Sequence, residues 1–358
     1  MTGGDWAGDA LRLLLQRVTV TAEQVGDRFP LYADPADGRW TTTGRGSWTG
    51  GFWAGLLWLR ARHTGLPAHR TAAAAATAAL APWAEADTAT RGLILWYGTA
   101  LADGDAAAGA LRDRAARAAL EARDPVLGLI PWGAALGGPR LRARADGAPG
   151  LVPLLACAGP EGRAAAAAHL HRHFDLCLPR EGAGRPTPAW RWDEGTGWAA
   201  EPDPAPGWTR GEAWLLLSVA DAFSLAPATG GLPAATELLL ARCEFLAGPL
   251  VPPADAYRLD GPLDTSAAAI TAVALLKLAR VPGAPWAAAC AARARVVLHR
   301  LAHAHLTGPD GPRPPGMLVD GCYDAPGGTA VRHELVWGDF FLALGLAALL
   351  GRADLTRV

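Results

Sequence analysis

Lysine is almost missing from this chain: Lys277 is the single one among 33 basic side chains. The basic residues are offset by 34 acidic ones, for a net charge of −1, and the two signs are mixed along the chain. No basic stripe is left to grip nucleic acid, so a nucleic-acid partner is excluded. The lysine shortage, beside abundant Ala, Gly and Pro, reads as GC-rich coding and not as a functional signal. Cysteines are few and unpaired in pattern. The five (Cys157, Cys177, Cys243, Cys290 and Cys322) are scattered, with no CxxC. That spacing builds neither a disulfide framework nor a zinc ribbon and predicts a cytoplasmic chain with reduced thiols. No apolar run reaches the roughly 18 residues of a membrane span. The opening "MTGGDWAGDALRLLLQRV" lacks a basic leader, and arginines interrupt its apolar run, so no signal peptide is expected.

What is abundant is hydrophobic surface and tryptophan. Of 358 residues, 51% are hydrophobic and 15 are Trp, enough for two ordinary domains or one large one. Helical periodicity dominates. In "WTGGFWAGLLWLRARHTG", Phe52, Leu56 and Leu59 fall on one helical face, and Gly65 with Pro67 predicts a stop. About a dozen such stretches follow, and convincing β-alternation is nearly absent, which predicts an all-α fold. Polar and aromatic loop motifs recur, marked by Trp48, Gly92, Trp132, Arg210, Asp264 and Trp337. They fit six helical hairpins closed into one toroidal domain over residues 1–358, with these loops on one face. The Pro/Gly-rich segment 179–207 is too long for a plain connection and is expected to line a site.

Five stretches, in order, carry a resemblance. "SWTGGFWAGLLWLRARHTG", "AALEARDPVLGLIPW", "WTRGEAW", "DTSAAAI" and "ELVWGDFFL" resemble motifs of the unsaturated glucuronyl hydrolases of glycoside hydrolase family 88 and their rhamnogalacturonyl relatives of family 105. The resemblance spans nearly the whole chain and implies an (α/α)6 barrel with its pocket at one mouth. It also implies hydration of the enol ether of a 4,5-unsaturated uronic acid, whose hemiketal then collapses to release the neighbouring sugar. One carboxyl does this work, and by position it is Asp146 in "RARADGAPGLVPLL". The family's H-D-x-G-F corresponds to "ATRGL", so Ala89 and Thr90 replace its His and Asp. Its D-G-S-x-x-H loop matches "REGAGRP" poorly, and its H-Q-G turn falls on Ala199.

Substrate contacts are expected from Trp48, Thr90, Trp132, Trp208, Arg210, Trp214, Ser266 and Trp337, with aromatic faces covering sugar C–H surface. Arg210 is placed as a carboxylate clamp, the alternative being an ion pair with Glu212 or Asp264. Trp53 reads as core, and "DTS" at 264–266 reads first as a helix cap. Asp87 and Asp193 are candidates for a second carboxylate, and Glu334 and Asp339 read as structural. In "HLHRHF", positions i and i+2 of a helix diverge, so no metal is expected, nor any organic cofactor. His303 and His305 read as a solvated helix end. The ligand is expected to be a small molecule, sugar-like or apolar. Two other readings stand beside the hydrolase: a repurposed barrel acting on a less polar compound in a biosynthetic pathway by water addition, elimination or rearrangement, and a non-catalytic sugar-binding homologue.

Overall fold

The computed structural model describes residues 5–178, 184–225 and 231–358. Six helical segments form an inner ring: Gly50–Thr64, Gly92–Thr99 (a π turn running into a short α turn), Leu151–Ala156, Thr209–Ala222, Thr265–Leu278 and Val336–Leu349. Each packs on the next, and the last packs on the first, so the ring closes. Six outer helices back it: Trp6–Val25, Pro67–Ala79, Ala106–Glu121, Gly159–Cys177, Leu232–Arg242 and Ala287–Ala304. The architecture is an all-α (α/α)6 barrel.

The inner helices are apolar on every side because they touch protein on every side. In Thr265–Leu278, only Leu276 and Lys277 escape full burial. Phe52 stacks on Tyr97 (5.2 Å) and Trp214 (6.1 Å) and meets Phe340 and Phe341 (each 5.5 Å). Tight approach explains two glycines. A Cβ on Gly51 would strike the carbonyls of Leu93 and Ile94, and one on Gly92 would strike the backbone of Gly150 and Leu151.

Strands are more numerous than the sequence pattern predicts. β1 (Phe29–Ala33), β2 (Trp40–Thr43), β6 (Gly321–Asp324) and β7 (Thr329–Leu335) form a sheet in the order β2-β1-β7-β6. β3 (Arg142–Arg144), β4 (Ala189–Asp193) and β5 (Gly197–Ala200) form a second, and all pairings are antiparallel. The strands are 3 to 7 residues long, too short for alternation to stand out. Part of the long segment 179–207 is therefore the hairpin β4–β5, with Trp192 facing Trp198.

Candidate functional site

The N-terminal ends of the inner helices share one mouth, and a cavity of about 620 Å³ opens there. Ser47 and Trp48 enter it from the turn before Gly50, Thr90 from before Gly92, and Asp146 from before Leu151. Trp208, Arg210 and Trp214 come from the helix at Thr209, and Tyr323 and Asp324 from β6.

Asp146 sits on the tight turn Ala145–Gly147 between β3 and the inner helix. Arg144 forks its carboxylate, with Nε donating to Oδ1 (3.0 Å) and Nη2 to Oδ2 (3.3 Å). The Arg144 guanidinium also lies 4.7 Å from the centre of the Trp132 ring, a cation–π contact. Burial would lower the proton affinity of Arg144, but Asp146, Asp203 and Glu201 outweigh it and hold the guanidinium above its ordinary value.

Two buried histidines back this turn. The amide of Ile130 donates to His169 Nδ1 (3.1 Å), so the neutral ring carries its proton on Nε2, which faces the Gly147 carbonyl at 3.3 Å. His173 gives Nδ1–H to the His169 carbonyl (2.8 Å), which leaves its Nε2 bare and without a partner. A Cβ placed on Gly147 would lie 3.9 Å from that nitrogen. Burial holds both rings below the ordinary histidine range, His169 further. The tautomers follow from this hydrogen-bond pattern.

Arg210 is not free to clamp a ligand, contrary to expectation. Nη1 donates to Asp264 Oδ2 (2.6 Å) and to the Cys322 carbonyl, and Nη2 donates to the Tyr323 carbonyl (2.6 Å). Its guanidinium lies between the rings of Trp208 (5.3 Å) and Trp337 (5.6 Å). The ion pair with Asp264 wins because both groups are buried and neither has water to turn to.

No protein-family model matches the chain, and no curated protein matches it. Solved structures do. One is the unsaturated glucuronyl hydrolase of Bacillus sp. GL1, responsible for the degradation of glycosaminoglycan, with TM-score 0.85, 22% identity, and 96% of each chain covered. The fold is that of the unsaturated glucuronyl hydrolases. An unsaturated glucuronyl hydrolase specific for heparin overlays with TM-score 0.83 at 20% identity, covering 99% of this chain and 100% of that one. The enzyme from Streptococcus agalactiae gives 0.81 at 18%, covering 98% and 93%. A variant of the latter is complexed with dGlcA-GalNAc6S (TM-score 0.75, 17% identity, covering 97% and 92%).

On this barrel, most residues singled out by sequence gather at the mouth. Trp48, Thr90, Trp132, Asp146, Trp208, Arg210 and Trp214 all line the cavity. Trp48 gives its Nε1–H to the Tyr323 hydroxyl (3.3 Å), and Trp53 is core. Thr90 is buried, its hydroxyl 2.8 Å from that of Thr88. Ser266 and Trp337 do not reach the wall. Ser266 Oγ donates to Asp264 Oδ1 (2.6 Å), the oxygen that caps its helix, and Trp337 is buried behind Trp48 at 4.8 Å.

Neither candidate second carboxylate is at the site. Asp87 does not line the cavity and accepts from Ala134 N (3.1 Å) and Arg140 Nε (2.9 Å). Asp193 caps its own hairpin turn through the amides of Gly195 (2.9 Å) and Thr196 (3.2 Å). The lining carboxylates beside Asp146 are instead Asp203, Asp255 and Asp324, which carry no motif.

Other readings resolve plainly. Glu334 is buried in an ion pair with Arg17 (2.6 Å) behind the mouth, and burial also raises Asp339. His305 is not solvated; it is buried against Asp320 at 3.0 Å. Among the described residues, no group of three or more His, Cys, Asp or Glu could hold a metal ion. In the "REGAGRP" loop, residues 180–183 lie outside the described residues. Among the described residues, no helix is long and apolar enough to cross a membrane.

Proposed function

We propose that the mouth of the barrel is the active site of a hydrolase of the unsaturated glucuronyl hydrolase type, which adds water to an enol ether of a sugar-like substrate through Asp146. The observation that carries this reading is the setting of Asp146. It is the least exposed carboxylate of the cavity lining, at 17%. Its oxygens are oriented by Arg144, and it shares the cavity with the Trp48, Trp132 and Trp208 side chains. The fold common to the solved glucuronyl hydrolases supports it.

The chemistry needs one carboxyl used twice. As an acid, Asp146 delivers its proton to the alkene carbon remote from the ring oxygen, and positive charge develops at the other. The carboxylate left behind is neutralised by Arg144. Water then attacks the cationic carbon and returns a proton to Asp146, which resets the group. The product hemiketal opens and expels the neighbouring residue. The rings of Trp48 and Trp208 flank the site and cover apolar sugar faces. His169 holds the Gly147 carbonyl and so fixes the turn that aims the carboxyl. No step calls for a metal or an organic cofactor.

The test is the loss of absorbance of the conjugated double bond in an unsaturated chondroitin disaccharide. Asp146→Asn keeps the shape and removes the proton, so it is expected to lower the rate by about 10²-fold or more with unfolding unchanged within about 1 kcal/mol. A variant as fast as the parent would remove Asp146 from the reaction.

A further inference from the structure

We propose that this pocket selects a substrate without negative charge, so that its enol ether belongs to a neutral sugar or an ester and not to a free uronate. The proposal rests on reading the cavity as the substrate site, and it names the class of substrate that site takes.

Three guanidiniums line the cavity, and each has a carboxylate of its own: Arg142 with Glu201 (2.8 Å), Arg144 with Asp146 (3.0 Å) and Arg210 with Asp264 (2.6 Å). Two of them are held a second time. Arg144 lies on Trp132, and Arg210 lies on Trp208 and donates to two backbone carbonyls. A ligand carboxylate would meet each guanidinium with its charge already offset by a carboxylate in place. Beyond these pairs the lining adds Asp203, Asp255 and Asp324. Asp255 accepts the Tyr257 amide (2.9 Å) and meets the exposed Arg258 at 3.6 Å, and Asp324 accepts the Gly327 amide (3.1 Å). Asp203 adds to the field on Arg144. Six carboxyl groups thus face three lining cations and one exposed one, and five of them stay charged when Asp146 carries the proton it delivers.

The inner-helix N-termini around the mouth attract negative charge. At one of these ends that pull is met by Asp264, whose carboxylate caps the helix from Thr265. In the position that the family resemblance gives to a second aspartate, Thr90 and Thr88 bond to each other, so the wall there offers a neutral hydroxyl pair.

The experiment separates charge from shape by using one unsulfated unsaturated chondroitin disaccharide as its free acid and as its methyl ester, which keep the same enol ether. Binding and turnover are both read on the parent protein, which keeps the Arg144–Asp146 pair: binding from the tryptophan fluorescence change on rapid mixing, before turnover, and turnover from the loss of absorbance. The ester is expected to bind about tenfold or more tightly at low ionic strength, from several exposed like-charge contacts removed together. The advantage should shrink in about 1 M salt and in the triple variant Asp203→Asn, Asp255→Asn, Asp324→Asn. Acid bound as tightly as ester, no binding of either, or a preference unmoved in the triple variant would each overturn the proposal. An ester preference without any loss of absorbance would leave this selection standing and refute the hydration reading; an acid that binds better and turns over would do the reverse.

Discussion

Replacing Glu212 by glutamine should flatten the dependence of stability on pH. Glu212 sits in the first turn of the helix that brings Arg210 and Trp214 to the mouth, and is only 3% exposed. Burial pushes its carboxyl from 4.5 up to about 7, and Arg185, 2.8 Å away, offsets only part of that. The Cys243 thiol also favours the charged form, but burial outweighs both partners, which is why the proton is favoured. A folded-state value above the unfolded one means that the native state holds the proton more tightly. The stabilisation is complete below about 4.5 and is lost as pH rises through about 7. The gap is worth about 3 kcal/mol. Urea unfolding of parent and Glu212→Gln at pH 5 and pH 8 measures it. The parent should lose about 2.5 kcal/mol more than the variant between the two values, since pH 5 already lies above 4.5. Burial raises Asp221, Glu334 and Asp339 as well, and their contributions cancel in the comparison. Equal losses in both proteins would show that Glu212 titrates in the fold as it does in water, and the burial argument would fail.

Two further outcomes follow from the site. Arg210→Ala strands the fully buried Asp264, so unfolding free energy should drop by about 3–5 kcal/mol; a drop below about 1 kcal/mol would make the pair dispensable and reopen a ligand role for the arginine. His169→Phe removes the acceptor for Ile130 N–H and the donor to the Gly147 carbonyl; if the turn aims Asp146, kcat should fall by about tenfold or more while KM stays within about twofold, whereas an unchanged kcat would reduce the histidine to packing.

The barrel was legible in the chain because its cause is local and repeated. Inner helices buried all round leave long apolar runs, and close helix approach leaves glycines such as Gly51 and Gly92 where a Cβ would strike a neighbour's backbone. Loop motifs at the heads of those helices placed Trp48, Asp146, Trp208 and Arg210 at the same mouth, since in a closed ring every inner N-terminus faces one side. The short strands escaped notice even where "WRW" alternates, because three residues are too few to set a period against helical flanks. The histidine pair was hidden by the choice of spacing. His169 and His171 diverge, whereas His169 and His173, one turn apart, bring their tilted rings within 4.4 Å under the Asp146 turn. What only the tertiary structure decided is which charges meet. Arg210 and Asp264 are 54 residues apart, and Arg17 and Glu334 are 317 apart. Asp203 and Asp255 join the wall from two separate loops and Asp324 from the end of β6. Periodicity records which face of a helix is buried, but an ion pair depends on distance through space, and that is set only when the ring closes.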